Sequence, residues 1–159
     1  MFVKDKYSIL EIINKLRESN RSIVFTNGCF DLLHKGHLHL FKSAIKEGDF
    51  LIVAINSDQS ILRLKGQGRP IQSENERVKA LTKLKSLDLV TIFDQDTPFD
   101  LIKFICPDVL VKGGDYNRKD IVGGDFVKSK GGRVVVVPIL KGFSTSSKIN
   151  EMLISETKT

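Results

Sequence analysis

Residues 22–41, SIVFTNGCFDLLHKGHLHLF, place a short β-branched run directly before a glycine turn and the start of a helical pattern. The run 22–26 predicts a buried strand, because it is short, rich in β-branched residues and bounded by turn-forming residues. Downstream of the turn, Leu38, Phe41 and Ile45 recur at helical spacing and predict a helix packed on the sheet. A strand, a turn and a helix in this order form the repeating unit of parallel α/β proteins.

The same alternation continues along the chain. Four further apolar runs predict strands at residues 50–55, 89–93, 108–112 and 133–137. Helical patterns lie before and between the strands, with apolar faces that include Ile9, Ile12, Ile13 and Leu16; Val78, Leu81 and Leu84; and Leu101, Ile102 and Ile105. The prediction is a Rossmann-like, doubly wound, five-stranded parallel sheet with flanking helices.

Local signals set the expected helix ends. Two pairs, Ser8 with Glu11 and Ser73 with Glu76, have the spacing of a capping box. Thr97 followed by Pro98 predicts an N-cap with proline at the first helical position. Gly48 and Pro107 are expected after the ends of two helices, the glycine in a left-handed conformation. These elements form one predicted domain, with an N-terminal helix in residues 1–21, a core in 22–150 and a tail in 151–159.

Composition narrows the class of protein. The chain has 159 residues, 41% of them hydrophobic, and 25 Lys and Arg against 19 Asp and Glu, a formal charge of +6. Its apolar runs are far shorter than the roughly 20 residues of a membrane-spanning helix, and residues 1–10 do not resemble a secretion signal. Two distant cysteines, Cys29 and Cys106, fit a reducing compartment. We therefore expect a cytoplasmic protein, and the charge leaves nucleic acid, a membrane surface or an anionic small molecule as partner.

Polar and glycine residues follow most of the predicted strands. Residues 27–31 follow the first strand, 56–58 the second and 113–115 the fourth, and a loop after the fifth leads to 144–147. The carboxyl ends of parallel strands share one edge of the sheet, where ligands bind at the point of reversed strand order. The sequence therefore predicts a single site.

All three histidines fall between residues 34 and 39. His34 and His37 are three residues apart at the start of a helix, where backbone N–H groups attract phosphate, and Gly36 removes a side chain that would block a ligand. A satisfied, partly buried histidine is the ordinary interpretation of any one of them. A zinc site that includes His39 is disfavoured, because no further ligand completes the set. We expect no metal held by protein side chains.

Other polar segments have both a structural and a functional interpretation. The basic segment 63–70 and Arg77 could bind an anion or form a solvated surface with an Arg77–Glu74 ion pair. Lys112 with the following glycines could be a mere turn, and the hydroxyls at 144–147 could only cap a helix. Cys29 is expected to pack as a small side chain rather than to act as a nucleophile.

Five stretches of the sequence resemble one superfamily of enzymes. Residues 26–37, TNGCFDLLHKGH, resemble the HxGH signature of the cytidylyltransferase-like nucleotidyltransferases, and residues 144–146 resemble their C-terminal signature. Residues 64–70, 96–98 and 107–116 are similar to one branch, the D-glycero-D-manno-heptose 1-phosphate adenylyltransferases of bacterial heptose biosynthesis. The family commonly has Ser-Thr-Thr where this chain has Ser144-Thr145-Ser146, so a hydroxyl is kept and a methyl is lost.

The resemblance implies that ATP gives its nucleotidyl group to a sugar 1-phosphate and releases pyrophosphate, with Mg²⁺ carried on the nucleotide phosphates. It implies three sets of site residues. The catalytic set is His34, His37, Lys65 and Arg77. The nucleotide-binding set is Asn27, Gly28, Cys29, Phe30, His34, Gly36, His37, Lys112, Gly113, Asp115, Ser144, Thr145 and Ser146. The substrate-binding set is Asp31, Asn56, Lys65 and Arg69.

The resemblance also implies a homodimer and a role in cell-surface polysaccharide, commonly the lipopolysaccharide core. In many bacteria this domain is fused to a sugar kinase, so we expect a separate heptose kinase to act before this protein. A cytidylyltransferase acting on glycerol 3-phosphate or a similar alcohol phosphate remains an alternative. A non-catalytic nucleic-acid-binding module is disfavoured, because the chain has 8% aromatic residues and no Trp. We expect binding to neither nucleic acid nor a membrane.

Overall fold

A computed structural model of the protein describes residues 1–138 and residue 140. Within them, helices and strands alternate as the sequence predicts. The elements are α1 (Lys6–Glu18), β1 (Ile23–Gly28), α2 (Lys35–Ile45), β2 (Phe50–Asn56), α3 (Asp58–Lys65), α4 (Glu74–Thr82), β3 (Leu89–Phe93), α5 (Phe99–Ile105), β4 (Val109–Gly113), a 3₁₀ turn (Arg118–Asp120), α6 (Gly124–Ser129) and β5 (Arg133–Val137).

The five strands form one parallel sheet in the order β3-β2-β1-β4-β5, which confirms the predicted fold class. The central strand β1 pairs with β2 on one side and with β4 on the other. The chain therefore places β2 and β3 on one side of β1 and then β4 and β5 on the other side. The reversal lies between β1 and β4, which is where an open α/β sheet forms a ligand crevice at its carboxyl edge.

Alternation along each strand divides the core between the two faces of the sheet. In β1, Ile23 and Phe25 belong to the core cluster that includes residues of α1, α5 and α6, whereas Val24 belongs to the cluster that includes residues of α2 and α4. All three of these side chains are fully buried. Both faces are covered, as the continuous apolar runs of the strands predict. No helix within the described residues is long and apolar enough to cross a membrane.

The helix starts in the structure agree only partly with those predicted from the sequence. Ser73 and Glu76 form the expected capping box at α4. The predicted cap at Ser8 is wrong: α1 begins earlier, and the Asp5 carboxylate accepts the N–H of Ser8 at 2.8 Å. At α5, Pro98 occupies the N-cap position in place of Thr97, and Thr97 makes only a long contact of 3.5 Å with the N–H of Phe99.

The C-terminal prediction at Gly48 is also wrong. Helix α2 ends at Ile45, three residues earlier, with Lys46 in a right-handed conformation. Gly48 instead allows a close approach, since a Cβ there would lie 2.6 Å from a methyl of Val24. At α5 the helix ends at Cys106 in the left-handed conformation, and Pro107 follows as expected.

Three segments differ from the predicted elements. Leu38 was expected on the buried face of α2 but is 37% exposed, and Leu40 takes its place in the core. Residues 63–65, assigned to a basic loop, form the last turn of α3. Helices α3 and α6 were not predicted, because each is only six to eight residues long and has few apolar positions.

Candidate active site

A cleft of about 810 Å³ opens at the carboxyl edge of the sheet. Residues that follow four of the strands line it, together with residues from α2 and the segment after α3. The polar and glycine residues among them are Asn27, Gly28, Cys29, His34, Gly36, His37, Asn56, Lys65, Arg69, Asp96, Thr97, Lys112, Gly113, Gly114, Asp115 and Tyr116. The topology therefore brings together most of the predicted site residues.

His34 and His37 form the start of α2 and lie against each other. Their rings stack with centroids 3.7 Å apart and planes 25° apart. The N–H of Gly36 donates to Nδ1 of His34 at 3.1 Å, and the N–H of His34 donates to Nδ1 of His37 at 3.3 Å. The two imidazoles thus make the same reciprocal capping box that Ser and Glu make elsewhere. Phe30 supports the pair from the β1 side, with its ring edge-on to His37 at 5.3 Å.

These two hydrogen bonds favour one tautomer of each ring. A nitrogen that accepts an N–H carries no proton, so in a neutral imidazole the proton is on the other nitrogen. Each ring therefore caps the helix through Nδ1 and can donate through Nε2. This arrangement fixes both rings at a helix N-terminus, which already favours negative charge. Such a pair of donors suits the charge of a phosphate.

Arg77 does not line the cleft, which corrects its assignment as a catalytic side chain. It is fully buried. Its guanidinium donates to the carbonyl oxygens of Cys29 (2.9 Å), Asn56 (2.7 Å) and Gln72 (3.1 Å) and to the carboxylate of Asp58 (2.8 Å). The alternative interpretation, an exposed ion pair with Glu74, does not hold either, because the carboxylate partner of Arg77 is Asp58. Arg77 joins the ends of β1 and β2 to the loop before α4.

Asp31 does not line the cleft either, which corrects its predicted role in binding the substrate. It is 1% exposed. Its two oxygens accept the N–H groups of Ile71 (2.7 Å) and Gln72 (2.9 Å), and one of them lies 3.5 Å from Nε of Arg69. Asp31 therefore fastens the loop 66–72 to the turn after β1. Arg69 itself does line the cleft, as predicted.

The remaining predicted contacts around β1 and β2 lie at the cleft. Lys65, the last residue of α3, lines the cleft with its side chain exposed. Asn56 is buried at the cleft floor, donates to the Ser60 hydroxyl at 3.0 Å and lies 3.8 Å from the Cys29 sulfur. This position fits the packed role expected for Cys29.

The far side of the cleft is formed by the end of β4. Lys112 is half-buried there, and its ammonium lies 5.3 Å from the ring of Tyr116. Burial lowers the pKa of Lys112, and the neighbouring Cys29 partly offsets that effect. A negatively charged ligand beside Lys112 would favour its charged form. Asp115 lines the same side.

Among the cleft residues without a role assigned from the sequence are Asp96 and Thr97. Asp96 and Thr97 lie in the loop between β3 and α5 and contribute to the cleft wall. Their position in the loop that follows a strand was the available signal, similar to the one that pointed to residues 27–31. The predicted phosphate contacts Ser144, Thr145 and Ser146 lie outside the described residues. Among the described residues, no group of three His, Cys, Asp or Glu is placed to hold a metal ion.

Comparison with known proteins identifies the family. The family model described as cytidylyltransferase-like matches residues 25–150. The chain belongs to the cytidylyltransferase-like family. It is 49% identical to the bifunctional protein HldE of Koribacter versatilis over 149 residues, 94% of this chain and 31% of that protein. It is 48% identical to the HldE protein of Gluconobacter oxydans over 141 residues, 89% of this chain and 29% of that protein. The chain thus spans about three-tenths of the length of these relatives.

Two solved structures have folds similar to that of this chain. A lipopolysaccharide core biosynthesis protein from Thermoplasma volcanium superposes with a TM-score of 0.63 at 29% identity, covering 77% of this chain and 99% of that one. A pantoate-beta-alanine ligase from Francisella tularensis, solved in complex with beta-gamma ATP and beta-alanine, has the same TM-score of 0.63 at 18% identity, covering 97% of this chain and 79% of that one. At that identity the second likeness concerns the fold alone.

Proposed function

We propose that this protein transfers AMP from ATP to a heptose 1-phosphate, giving ADP-heptose and pyrophosphate. The observation that carries the proposal is the stacked His34–His37 pair at the N-terminus of α2, facing a cleft at the sheet reversal. Membership of the cytidylyltransferase-like family and the likeness to HldE proteins support the reaction type. The product would serve cell-surface polysaccharide synthesis, such as the lipopolysaccharide core.

The chemistry needs positioning and charge stabilisation more than acid–base catalysis. The phosphate oxygen of a sugar 1-phosphate is already ionised at neutral pH, so it can attack the α-phosphorus of ATP without a general base. The P–O bond to pyrophosphate breaks as the bond to the sugar phosphate forms. The Nε2 donors of His34 and His37 would stabilise the charge that develops on the α-phosphate. Lys65 and Arg69 would hold the phosphates in line.

The nucleotide would extend from the histidines toward β4. Lys112 and Asp115 would contact its base and ribose, and the backbone of residues 27–30 would approach it closely. Ser144, Thr145 and Ser146 remain proposed phosphate contacts. Arg77 and Asp31 would act indirectly, by holding the backbone beneath the cleft.

Mg²⁺ would be carried by the nucleotide rather than by a protein-built site. The described part of the chain offers Asp96 and Asp115 at the cleft but no cluster of three ligating side chains. When bound, the ion would screen the charge of the phosphates. A kinase that supplies the sugar 1-phosphate and a homodimeric assembly also belong to this proposal, and we place the reaction in the cytoplasm.

A pyrophosphate-release assay tests the proposal. ATP, CTP, GTP and UTP would each be combined with heptose 1-phosphate, mannose 1-phosphate and glycerol 3-phosphate. We expect the highest kcat/KM for ATP with heptose 1-phosphate. Preference for CTP with glycerol 3-phosphate would instead favour the cytidylyltransferase alternative. Release with no pair would reject nucleotidyl transfer.

A further inference from the structure

The cleft wall has cationic or donor side chains in its middle and a carboxylate at each end. Following the sheet from β4 to β3, the wall carries Asp115, then the cationic or donor side chains Lys112, His37 and Lys65, and then Asp96. The two carboxylates lie beyond strands that are three positions apart, on the order of 14 Å at the usual strand spacing. A cleft that binds two phosphates in its middle therefore has a carboxylate at each end.

A carboxylate beside a phosphate would be repelled by it, so each end suits an uncharged part of the ligand. Ionised carboxylates are acceptors only and bind pairs of hydroxyl groups well. The Asp115 end is already assigned to the nucleotide, whose uncharged polar part is the ribose. The Asp96 end lies past Lys65, away from the nucleotide.

The loop that carries Asp96 is firmly built. Arg63 of α3 donates from Nε to Oδ1 of Asp96 at 2.9 Å and also donates to the carbonyl of Asp94. The Ser60 hydroxyl donates to the carbonyl of Gln95 at 2.9 Å. The loop is thereby fixed to α3, the same helix that ends in Lys65. Asp96 and Lys65 are therefore held in a constant relation to each other.

We propose that Asp96 and Thr97 recognise the hydroxyl groups of the sugar acceptor, and that the acceptor is a hydroxylated ring whose phosphate lies at Lys65. This inference rests on the proposed function and adds its substrate side. The ion pair with Arg63 uses Oδ1 of Asp96, and Oδ2 together with the Thr97 hydroxyl forms the recognising surface. The Thr97 side chain is exposed at the cleft wall, and its hydroxyl, which accepts the N–H of Phe99 at 3.5 Å, keeps its own proton to donate.

The test compares acceptors with and without ring hydroxyls. Wild type and Asp96→Asn are assayed with ATP and either heptose 1-phosphate or methyl phosphate. We expect Asp96→Asn to raise the KM for heptose 1-phosphate about tenfold or more, because a hydrogen bond to a charged group is lost. The KM values for ATP and methyl phosphate should stay within about twofold.

Two further variants separate recognition from structure. Arg63→Gln breaks the same ion pair but keeps the carboxylate, so a purely structural role predicts the same KM change as Asp96→Asn. Thr97→Val leaves the ion pair intact and should also raise the KM for heptose 1-phosphate selectively, which keeps the test valid if Asp96→Asn does not fold. Equal changes for both acceptors, or equal changes in Asp96→Asn and Arg63→Gln, would overturn the proposal.

A binding measurement distinguishes failure of this inference from failure of the proposed function. Absence of pyrophosphate release with every substrate pair would reject the proposed function. Calorimetric titration of wild type and Asp96→Asn with heptose 1-phosphate and with methyl phosphate then decides the inference. Selective weakening of heptose 1-phosphate binding would support it, and unchanged binding would overturn it.

Discussion

Two groups of charged or polar side chains lie at the same edge of the sheet and differ in burial. His34, His37 and Lys65 line the cleft, whereas Arg77 and Asp31 lie beneath it, at 0% and 1% exposure. The family resemblance predicted catalytic or substrate-binding roles for all five. The difference shows that a charged residue near a site either contacts the ligand or stabilises the backbone that forms the site.

Most of the side-chain polar atoms of the two buried residues are hydrogen-bonded to other protein groups. Arg77 binds three backbone carbonyls and a carboxylate, and Asp31 binds two backbone N–H groups and approaches Arg69. Such a network is costly to break, because each partner is left buried and unpaired. Variants of the buried group should therefore lose stability, and variants of the cleft group should lose function with little loss of stability.

The largest expected effect on stability is that of Arg77→Met. It leaves the Asp58 carboxylate and the carbonyls of Cys29, Asn56 and Gln72 without their donor, so we expect a loss of about 3–5 kcal/mol in the free energy of unfolding. The matched control is Arg63→Met, which breaks an exposed ion pair with Asp96 and should cost at most about 1 kcal/mol. Urea denaturation of both variants provides the measurement. Similar losses in the two would contradict the distinction.

Asp31→Asn should have an intermediate effect. An amide has one acceptor oxygen where the carboxylate has two, so one of the N–H groups of residues 71 and 72 loses its partner, at a cost of about 1–3 kcal/mol. The loop that carries Arg69 should loosen, which raises the KM for the sugar phosphate.

Asp49→Asn is the control for that variant. Asp49 also accepts a backbone N–H, that of Ser22 at 2.8 Å, but at the amino end of β1, opposite the cleft. It should lose stability and keep its KM values. Unchanged KM values in Asp31→Asn would show that this residue stabilises the fold without shaping the cleft.

Lys112→Met should weaken ATP binding without lowering stability, unlike the variants of the buried residues. Burial lowers the pKa of Lys112, which means that the fold disfavours its charged form. This cost is fully present below the lowered folded-state pKa, and it is relieved as the pH rises from that pKa towards the unfolded-state value. The apo variant should therefore be at least as stable as wild type at pH 7, while its affinity for ATP falls about tenfold or more. A less stable variant with unchanged affinity would contradict this assignment.

The same pKa shift predicts the smallest effect, on pH dependence. The charged form of Lys112 favours ATP, so kcat/KM for ATP should fall as the pH rises through the lowered pKa of the free enzyme. In Lys112→Arg the guanidinium stays charged, and the fall should move to higher pH. Identical alkaline profiles for wild type and Lys112→Arg would assign the titration to another group.

Much of the fold could be predicted from the sequence. Strands β3 and β5 coincide with their predicted runs. The alternation of helices and strands indicates that the strands are parallel. The edge of the sheet that carries the site followed from the polar residues after the strands. The stacked histidines also followed in outline, since a spacing of three residues places two side chains together at a helix start.

The rest depended on tertiary contacts. The choice of Asp5 over Ser8 as the cap of α1 depends on where the chain enters the helix, and either residue could cap. Arg77 is buried because its side chain extends from α4 to the carbonyls of Cys29 and Asn56, after β1 and at the end of β2. The local sequence pattern does not encode these contacts. The role of Asp31 required knowledge of where the loop 66–72 returns.

The most direct test of the central claim is the pyrophosphate-release rate of the double variant His34→Asn, His37→Gln with ATP and heptose 1-phosphate. Asn and Gln at these positions preserve a capping box while removing both imidazoles. We predict a turnover lower by a factor of roughly 10² to 10³ or more, with an unfolding free energy close to that of wild type. Turnover within a few-fold of wild type would contradict the account.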